Sequence, residues 1–416
     1  MGASATSPPT TAAIDTRWKK APETLIVVGA VFGLIGACVP SLRQQFAHSY
    51  LLAFMFFLSI CLGGLFLTLI HHLFDANWSV ATRRVTEHLA WLLPVMGALF
   101  VPIALCSFLK VNGADGNPTA VIYQWMWNDP HLDHALLAKQ PIFTRPGFLA
   151  ISIGLFAAWT FLVWHLRKHS LEQDKTGAAI HTFKMRFHSG YGIFLFAVTL
   201  TLAAILWVGA LEHQWYSTMY GVYYFAESVW TTMATLWVLA AVLSRTGHLK
   251  DVVNKNTMHC LGLVWFAFTV FYAYIHFSQY FLQWNANIPE ETFWYVKREQ
   301  GSWWQICLLI VFGHFLAPFL LLLRIDAKLN PAVTVPLAIW AWLMHFCDMS
   351  FNIMPVIHPE GFVLHWLDIA CMAFVGGVLV KVFLRYLNAH PAYPVKDPRL
   401  GESLGVHGPH PVYETH

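Results

Sequence analysis

Residues 49–70 read SYLLAFMFFLSICLGGLFLTLI, a stretch without a single charged side chain. An α-helix of this length rises about 33 Å, enough to cross the ~30 Å hydrocarbon core of a bilayer. Nine further stretches are nearly as apolar. The sequence therefore predicts an all-α integral membrane protein with ten transmembrane helices, spans 1 to 10. Their predicted limits are residues 24–42, 49–70, 89–109, 147–166, 189–211, 228–244, 258–282, 303–323, 333–354 and 361–380.

The composition of the whole chain supports a membrane location. Of 416 residues, 57% are hydrophobic and 11% are charged, whereas about a quarter of the residues of a soluble domain are charged. The net charge of +3 is too small and too dispersed for a nucleic-acid interface. The seven cysteines form no CxxC or CxxCH motif. The sequence thus favours a lipid bilayer as surroundings and argues against nucleic acid, a metal site, a disulfide framework and covalent haem.

The basic residues predict the orientation of the ten spans. With ten spans, 19 Lys and Arg fall on the side that carries both termini and 6 fall on the other side. The positive-inside rule then places both termini in the cytoplasm. We expect a polar, uncleaved N-terminal tail at residues 1–23, a ten-helix domain at 24–388 and an extended C-terminal tail at 389–416 with solvated histidines. The spacing is compatible with two four-helix bundles, spans 2–5 and spans 6–9, beside spans 1 and 10.

Two connections on the predicted outer side, residues 110–146 and 283–302, are long and aromatic. Tryptophan and tyrosine there could anchor helix ends at the membrane interface. The other interpretation is docking of extrinsic subunits. The residues expected to serve docking are Trp125, Trp127, Glu290, Glu291 and Trp294.

Ionisable side chains within or beside the spans are the candidate functional residues, because each is costly in a membrane unless it meets a partner, water or a cavity. One group lies at the predicted cytoplasmic ends of spans 2 and 3, a second in the outer half, and His314 lies between them beside Pro318, where a helix kink is expected. The candidates for a proton path or quinol contact are His71, His72, Asp75, Glu87, His88, Glu212, His213, Glu227, His276, His314, His345, Asp348, His365 and Asp368.

These residue types can move protons. Imidazole donates from one nitrogen and accepts at the other, and a desolvated carboxylate titrates nearer neutral pH. Asp348 and Asp368 are the strongest candidates, with Glu227 expected nearer the outer surface. The competing interpretations are solvated ion pairs for the cytoplasmic group and hydrogen-bonded packing residues for His276 and His314.

Four motifs are distinctive when taken together. They are WSVATRRVTEHLA at 78–90, EHQWYSTMYGVYYF at 212–225, NIPEETFWYVKREQGSWW at 287–304 and DMSFNIMP at 348–355. Together they resemble the ActF-type membrane subunit of bacterial alternative complex III, within the wider NrfD/PsrC-like group. The resemblance covers spans 2 to 10.

This resemblance implies a ten-helix subunit, without a redox centre of its own, in a bacterial inner-membrane quinol:cytochrome c oxidoreductase. Its implied partners are a homologous ActC-type membrane subunit, an iron–sulfur subunit, multihaem and monohaem cytochrome c subunits, and a candidate terminal oxidase. The implied roles are quinone or quinol binding, with menaquinone or ubiquinone as candidates, and transmembrane proton conduction.

Two other functions remain open from the residues alone. A b-type haem cytochrome needs two histidines facing each other at one depth, and His314 and His345 are both roughly central. A stand-alone secondary transporter would also contain broken helices and buried charge. A haem band in the visible spectrum of the purified subunit would identify the first, and purification without respiratory partners would identify the second.

The predicted orientation can be tested directly. Because the basic residues are so unevenly distributed, reporter fusions to the C-terminal tail should be active only as cytoplasmic reporters. Fusions to residues 110–146 provide the opposite control. Periplasmic reporter activity at the tail would contradict the predicted orientation.

Overall fold

A computed structural model describes residues 20–112 and 118–405. Most of the predicted N-terminal tail and the last residues of the C-terminal tail lie outside the described residues. The described chain is almost entirely helical, and ten helices are long and apolar enough to cross a membrane. These spans are Ala21–Cys38, Pro40–Phe74, Val80–Ser107, Arg145–Thr176, Ile180–Trp207, Tyr220–Arg245, Lys255–Ala286, Trp303–Leu323, Pro331–Val356 and Trp366–Ala389.

The spans form the two predicted bundles. Spans 2, 3, 4 and 5 pack in a ring, and spans 6, 7, 8 and 9 form a second ring. Span 2 joins them, since it also packs against spans 6, 9 and 10, and 83% of its most apolar window is buried. Spans 1 and 10 pack closely together, with Gly29 against Ala370 and Gly377 against Pro22. This antiparallel contact puts the start of span 1 and the end of span 10 at one end of the molecule, here called the tail end.

Spans 3 and 6 begin earlier than the sequence predicts. The predicted limits exclude Arg83, Arg84 and Glu87 from span 3 as charged residues, but these side chains are buried and pair with one another inside the protein. Span 6 begins at Tyr220 rather than 228, because the aromatic residues before Glu227 continue the helix. Mutual pairing removes the cost that a hydropathy window assigns to each charged residue.

Two spans are irregular where proline occurs. Span 3 consists of three helical segments, Val80–Ala90, Leu93–Leu99 and Val101–Ser107, with a proline near the start of the second and third. Span 8 contains a π-helix at Ile310–Leu316, directly before Pro318. Proline has no N–H to donate, and the wider turn accommodates the break expected there.

The opposite end of the molecule, here called the loop end, is covered by the two long connections. The first contains a short antiparallel hairpin of Lys110–Asn112 and Pro118–Ala120, followed by a helix at His134–Ala138. The second forms a helix at Pro289–Arg298. Two tryptophans of these connections are buried. Trp125 packs on Phe143 and Phe148, and Trp294 stacks on Trp215. The docking interpretation was therefore wrong for these two residues.

The C-terminal tail is attached to the tail end as far as residue 405. Asp397 forms an ion pair with Arg83, and the backbone N–H of Val395 donates to Asp174 at 3.0 Å. His390 is half-buried and its ring stacks on His88 at 6.3 Å, so the expected solvation of the tail histidines was wrong at this position. The other tail histidines, His407, His410 and His416, lie outside the described residues.

Candidate functional site

Three ionisable side chains meet in the interior where spans 2, 6 and 9 pack together. Glu227 comes from span 6, and His345 and Asp348 lie one turn apart on span 9; all three are fully buried. Glu227 was expected nearer the outer surface, and that expectation was wrong, because span 6 starts two turns earlier than predicted. We call these three residues and their hydrogen-bonded neighbours the Glu227 array.

Close packing of spans 2 and 6 positions Glu227. A side chain at Gly63 would lie 2.6 Å from the backbone oxygen of Ser228 and would also collide with the Thr232 hydroxyl. The Thr232 hydroxyl lies 3.1 Å from the Ile60 oxygen and 2.7 Å from the Ser228 oxygen. Only glycine at position 63 allows the two backbones to approach so closely, and this approach brings Glu227 next to span 2.

His345 uses both ring nitrogens. Its Nδ1 lies 2.5 Å from Oε1 of Glu227, and its Nε2 lies 2.8 Å from the Ser59 hydroxyl. That hydroxyl donates its own hydrogen to the Phe56 backbone oxygen at 2.6 Å. Nε2 must therefore carry a hydrogen and donate it to Ser59. The contact between Nδ1 and Glu227 then requires one more proton, held by either partner.

The second oxygen of Glu227 faces a similar requirement. No N–H or O–H donor among the described residues reaches Oε2, which is buried. The Asp348 carboxyl lies within hydrogen-bonding reach of Glu227. Two adjacent carboxyl groups form a hydrogen bond only when they share a proton. With one proton in each contact, Glu227, His345 and Asp348 together carry no net charge, which suits a site within apolar helices.

Phenol and amide groups extend the array from Asp348 towards the loop end. The Tyr223 hydroxyl donates to Asp348 at 2.5 Å, and the Tyr272 hydroxyl lies 3.1 Å from the same carboxyl. Asn352 donates to the Tyr223 oxygen at 3.1 Å and accepts from the Tyr220 hydroxyl at 3.0 Å. A continuous series of hydrogen bonds therefore connects Tyr220 with His345.

Two further candidate histidines lie beside the array. The ring of His314, at the π-helix of span 8, stacks against Trp230 and against Tyr272, each at 3.8 Å between ring centroids. Its nitrogens have no hydrogen-bond partner among the described residues. His276 is half-buried, with its ring 5.5 Å from that of Tyr223. Stacked rings, and not hydrogen bonds from its nitrogens to other described residues, hold the His314 ring in place.

The candidates at the tail end form a separate buried network. Glu87 pairs with Arg83 at 3.1 Å and Arg84 at 2.7 Å, and it accepts from the Ser170 hydroxyl at 2.7 Å. These side chains are buried, so the interpretation of a solvated ion-pair cluster was wrong for them. Around this cluster, His71 lies 2.7 Å from the Ser79 hydroxyl, and the His72 ring meets the His71 ring edge-on. His88 lies 3.0 Å from Arg167. Asp75 forms ion pairs with Arg186 at 2.8 Å and with Arg399 at 3.1 Å.

Glu212 and His213 hold the loop end together. Glu212 pairs with Lys297 at 2.7 Å and with Arg298 at 2.9 Å, and His213 lies 2.6 Å from Asp133. Arg298 is fully buried, and it also donates to the backbone oxygens of Phe351 and Asn352 at the end of span 9. Because Asn352 belongs to the Glu227 array, this ion pair supports one end of the array.

Asp368 and His365 do not join Asp348. They form a capping box at the start of span 10, in which Asp368 accepts from the His365 backbone N–H at 2.8 Å. Asp368 also accepts from the Ser49 hydroxyl at 2.5 Å. Within the described chain, no hydrogen bond links this pair to the Glu227 array. Capping of the helix start explains why an acid is buried at position 368. Asp348 lies within a helix and has no such capping role.

Sequence reasoning missed several members of the array. Tyr220, Tyr223 and Ser59 were not candidates, since hydroxyl residues are common in membrane helices. The available signal was spacing, because Tyr220, Tyr223 and Glu227 recur at i, i+3 and i+7 and must share one face of span 6.

In residues 20–112 and 118–405, no three His, Cys, Asp or Glu side chains come together as metal ligands. Both nitrogens of His345 are engaged with Glu227 and Ser59, so this histidine has no free nitrogen for a haem iron.

Comparisons with known proteins identify no family. No protein-family model matches the chain, and no curated protein is significantly similar to it.

The Glu212 ion pairs give a prediction about stability. Burial raises the pKa of Glu212, but Arg298 and Lys297 more than offset this, so its pKa lies below the ordinary value. Glu212→Gln should leave Arg298 without its carboxylate and cost about 3 kcal/mol. The measurement is the midpoint of thermal unfolding of the protein in detergent.

The same pair should give a characteristic pH dependence. A carboxyl whose folded-state pKa is lowered stabilises the protein above its unfolded-state pKa, about 4.3 for glutamate, and this contribution is lost as the pH falls through the folded-state pKa. The difference between wild type and Glu212→Gln should therefore disappear in strong acid. The exposed pair of Arg324 and Asp326 is the control, and Asp326→Asn should not change the midpoint. Equal midpoints for wild type and Glu212→Gln at neutral pH would contradict the role of the pair.

Proposed function

We propose that the chain is a membrane subunit of a quinol-oxidising respiratory complex similar to alternative complex III, and that the Glu227 array transfers protons within it. The observation that carries the proposal is the placement of three adjoining ionisable groups, Asp348, Glu227 and His345, inside an apolar helix bundle. The four sequence motifs support the assignment to such a complex. Buried ionisable groups within spans are costly, and a proton relay gives a functional reason for them.

The array has the chemistry of a proton relay. A proton arriving at Asp348 can pass to Glu227 through their shared hydrogen bond, and then to Nδ1 of His345. The ring then holds a hydrogen on each nitrogen and can release the one on Nε2 at its other side, as imidazole relays do. Ser59 orients Nε2 and does not carry the proton further, because its own hydrogen is donated to the Phe56 backbone oxygen. The tyrosine hydroxyls and Asn352 hold Asp348 in place and shield it from lipid.

A complete path across the membrane needs a link between two networks. Among the described residues, no direct hydrogen bond connects the Glu227 array with the Glu87 network at the tail end. His314 lies beside the array with its ring against that of Tyr272, and its nitrogens have no hydrogen-bond partner among the described residues. Water beside His314 would supply such a link.

Direct contact with a quinol is the second candidate role. A cavity of about 420 Å³ at the loop end lies between spans 4, 5 and 6 and the first long connection. Its walls are mostly apolar, including Phe143, Leu206 and Trp215, and they include Tyr220, the last member of the array. A cavity of this size suits a ring with an apolar tail. A quinol there would lie at the end of the array, beside Tyr220.

The loop end is the proposed docking surface for the extrinsic subunits. A cleft of about 1150 Å³ separates the helix at His134–Ala138 from the helix at Pro289–Arg298. Asp129, Asp133 and Glu290 line it, and Leu132 at its edge is 87% exposed. Acidic walls with an exposed apolar residue suit a basic segment of a protein partner.

A photo-crosslinking residue at position 132 should test the docking proposal. In the intact complex it should capture an iron–sulfur or cytochrome c subunit, because Leu132 projects from the cleft. The control position is Val198, an exposed residue of span 5, which should crosslink to lipid. Capture of lipid alone at position 132 would argue against docking at this cleft.

Asp348→Asn should test the relay itself. The amide keeps the size of the side chain and can still accept from Tyr223, but it cannot exchange a proton. We expect the complex to assemble, while proton release and coupled quinol oxidation fall by about 100-fold or more. Asp348→Leu should instead disrupt assembly, because Glu227 and the tyrosines would lose a buried partner.

Asp368→Asn provides the matched control. It removes a buried acid of the same type from a helix cap, so proton release and turnover should stay at the wild-type level even if stability falls. Wild-type turnover and proton release in an assembled Asp348→Asn complex would exclude the relay function of this residue.

A further inference from the structure

Four histidines and two lysines cover one face of the hairpin formed by spans 4 and 5 at the tail end. On span 4 they follow the i, i+3, i+4 spacing, and on span 5 the i, i+3, i+7 spacing, so each set lies along one helix face. This group, here called the imidazole patch, is separate from the Glu227 array and from the Glu87 network. Its members are His165, Lys168, His169, His181, Lys184 and His188.

The histidine rings of the patch contact one another across the two helices. His165 and His188 lie 4.6 Å apart between ring centroids, and His169 stacks on His188 at 5.7 Å. Nδ1 of His169 lies 3.3 Å from Nδ1 of His181. Nδ1 of His165 lies 2.9 Å from the Phe161 backbone oxygen, and Nδ1 of His188 lies 2.8 Å from the Tyr191 hydroxyl. The four Nδ1 atoms are thus engaged within the protein, and the Nε2 edges of the rings remain for a ligand.

The positive charge of the patch is not neutralised within the protein. Lys168 and Lys184 are exposed, and no carboxylate of the described residues lies within ion-pair distance of either. Glu172, one turn along span 4 from Lys168, forms no such pair. Two other acids at this end already have partners, since Asp174 pairs with Arg84 and Asp75 with Arg186.

The patch lies where the lipid-facing surface becomes polar. Phe161 and Trp164, on the preceding turns of span 4, are 48% and 47% exposed, and Phe187 on span 5 is 71% exposed. The Lys168 ammonium lies over the Trp164 ring at 5.1 Å. Tryptophan and lysine together are typical of the head-group layer of a membrane.

We propose that the imidazole patch binds the phosphate group of an anionic phospholipid. The two lysines supply the charge, and the acyl chains lie along the exposed aromatic residues. Rings whose Nδ1 acts as an acceptor, such as His188 beside the Tyr191 hydroxyl, donate from Nε2 to the phosphate oxygens. Basic pockets between membrane helices bind acidic head groups in this way. A zwitterionic lipid carries its own cation beside the phosphate and should bind more weakly.

The test is lipid binding to the purified complex, measured by native mass spectrometry during titration with phosphatidylglycerol or phosphatidylcholine. Each lysine near a membrane surface should contribute about fivefold to the affinity for an anionic lipid. Combined Lys168→Gln and Lys184→Gln should therefore weaken phosphatidylglycerol binding by about 25-fold and leave phosphatidylcholine binding unchanged. Lys250→Gln with Lys255→Gln is the matched control, since both lysines are exposed at the same end of the molecule and lie outside the imidazole patch.

A second arm distinguishes a lipid from a free anion. A large excess of inorganic phosphate should not displace phosphatidylglycerol, because it cannot replace the acyl-chain contacts. Complete displacement would overturn the assignment to a lipid. Unchanged phosphatidylglycerol affinity in the lysine variant, or equal affinity for both lipids, would overturn the proposal as well. The outcome does not depend on whether the Glu227 array conducts protons.

Discussion

The contact between Glu227 and His345 is the constraint on which the centre of the structure depends. Both side chains are fully buried, so either one without the other would leave an unpaired polar group among apolar helices. Their distance of 2.5 Å fixes how closely span 9 approaches span 6. Ser59 then brings in span 2, and Gly63 allows spans 2 and 6 to touch. Spans 2, 6 and 9, which come from two bundles, thus pack together around the Glu227 array.

The architecture could be predicted from the sequence because hydropathy reports which side chains are stable in lipid, and a backbone in lipid must satisfy its own hydrogen bonds by forming a helix. Span 2, uncharged from residue 49 to 70, is an unambiguous case. Span 3 was placed too late because hydropathy treats each charged residue alone. Arg84 and Glu87 neutralise each other inside the protein, and only the fold reveals that pairing. The predicted limit of a span is therefore wrong where charged residues beside it pair with each other inside the protein.

The candidate site was predictable in part. Asp348 and His345 were identified because ionisable residues deep in apolar helices need a partner. The depth of Glu227 was wrong, since the aromatic residues before it resembled a loop at the membrane surface. Asp368 was grouped with Asp348 because both are acids in apolar spans. The difference lies in the backbone. At the start of span 10 a backbone N–H that is not used within the helix donates a hydrogen bond to Asp368. Asp348 lies inside span 9, where the backbone N–H groups are already used within the helix.

The loop end and the array are mechanically connected through Arg298. The guanidinium group stacks on Trp294 at 3.5 Å, pairs with Glu212 and donates to the backbone oxygen of Asn352. The side chain of Asn352 in turn contacts Tyr220 and Tyr223. A displacement of the helix at Pro289–Arg298 would therefore shift the end of span 9 and the hydroxyl groups around Asp348. Because closely packed helices move as units, a partner bound at the loop end could change the geometry of the array without touching it.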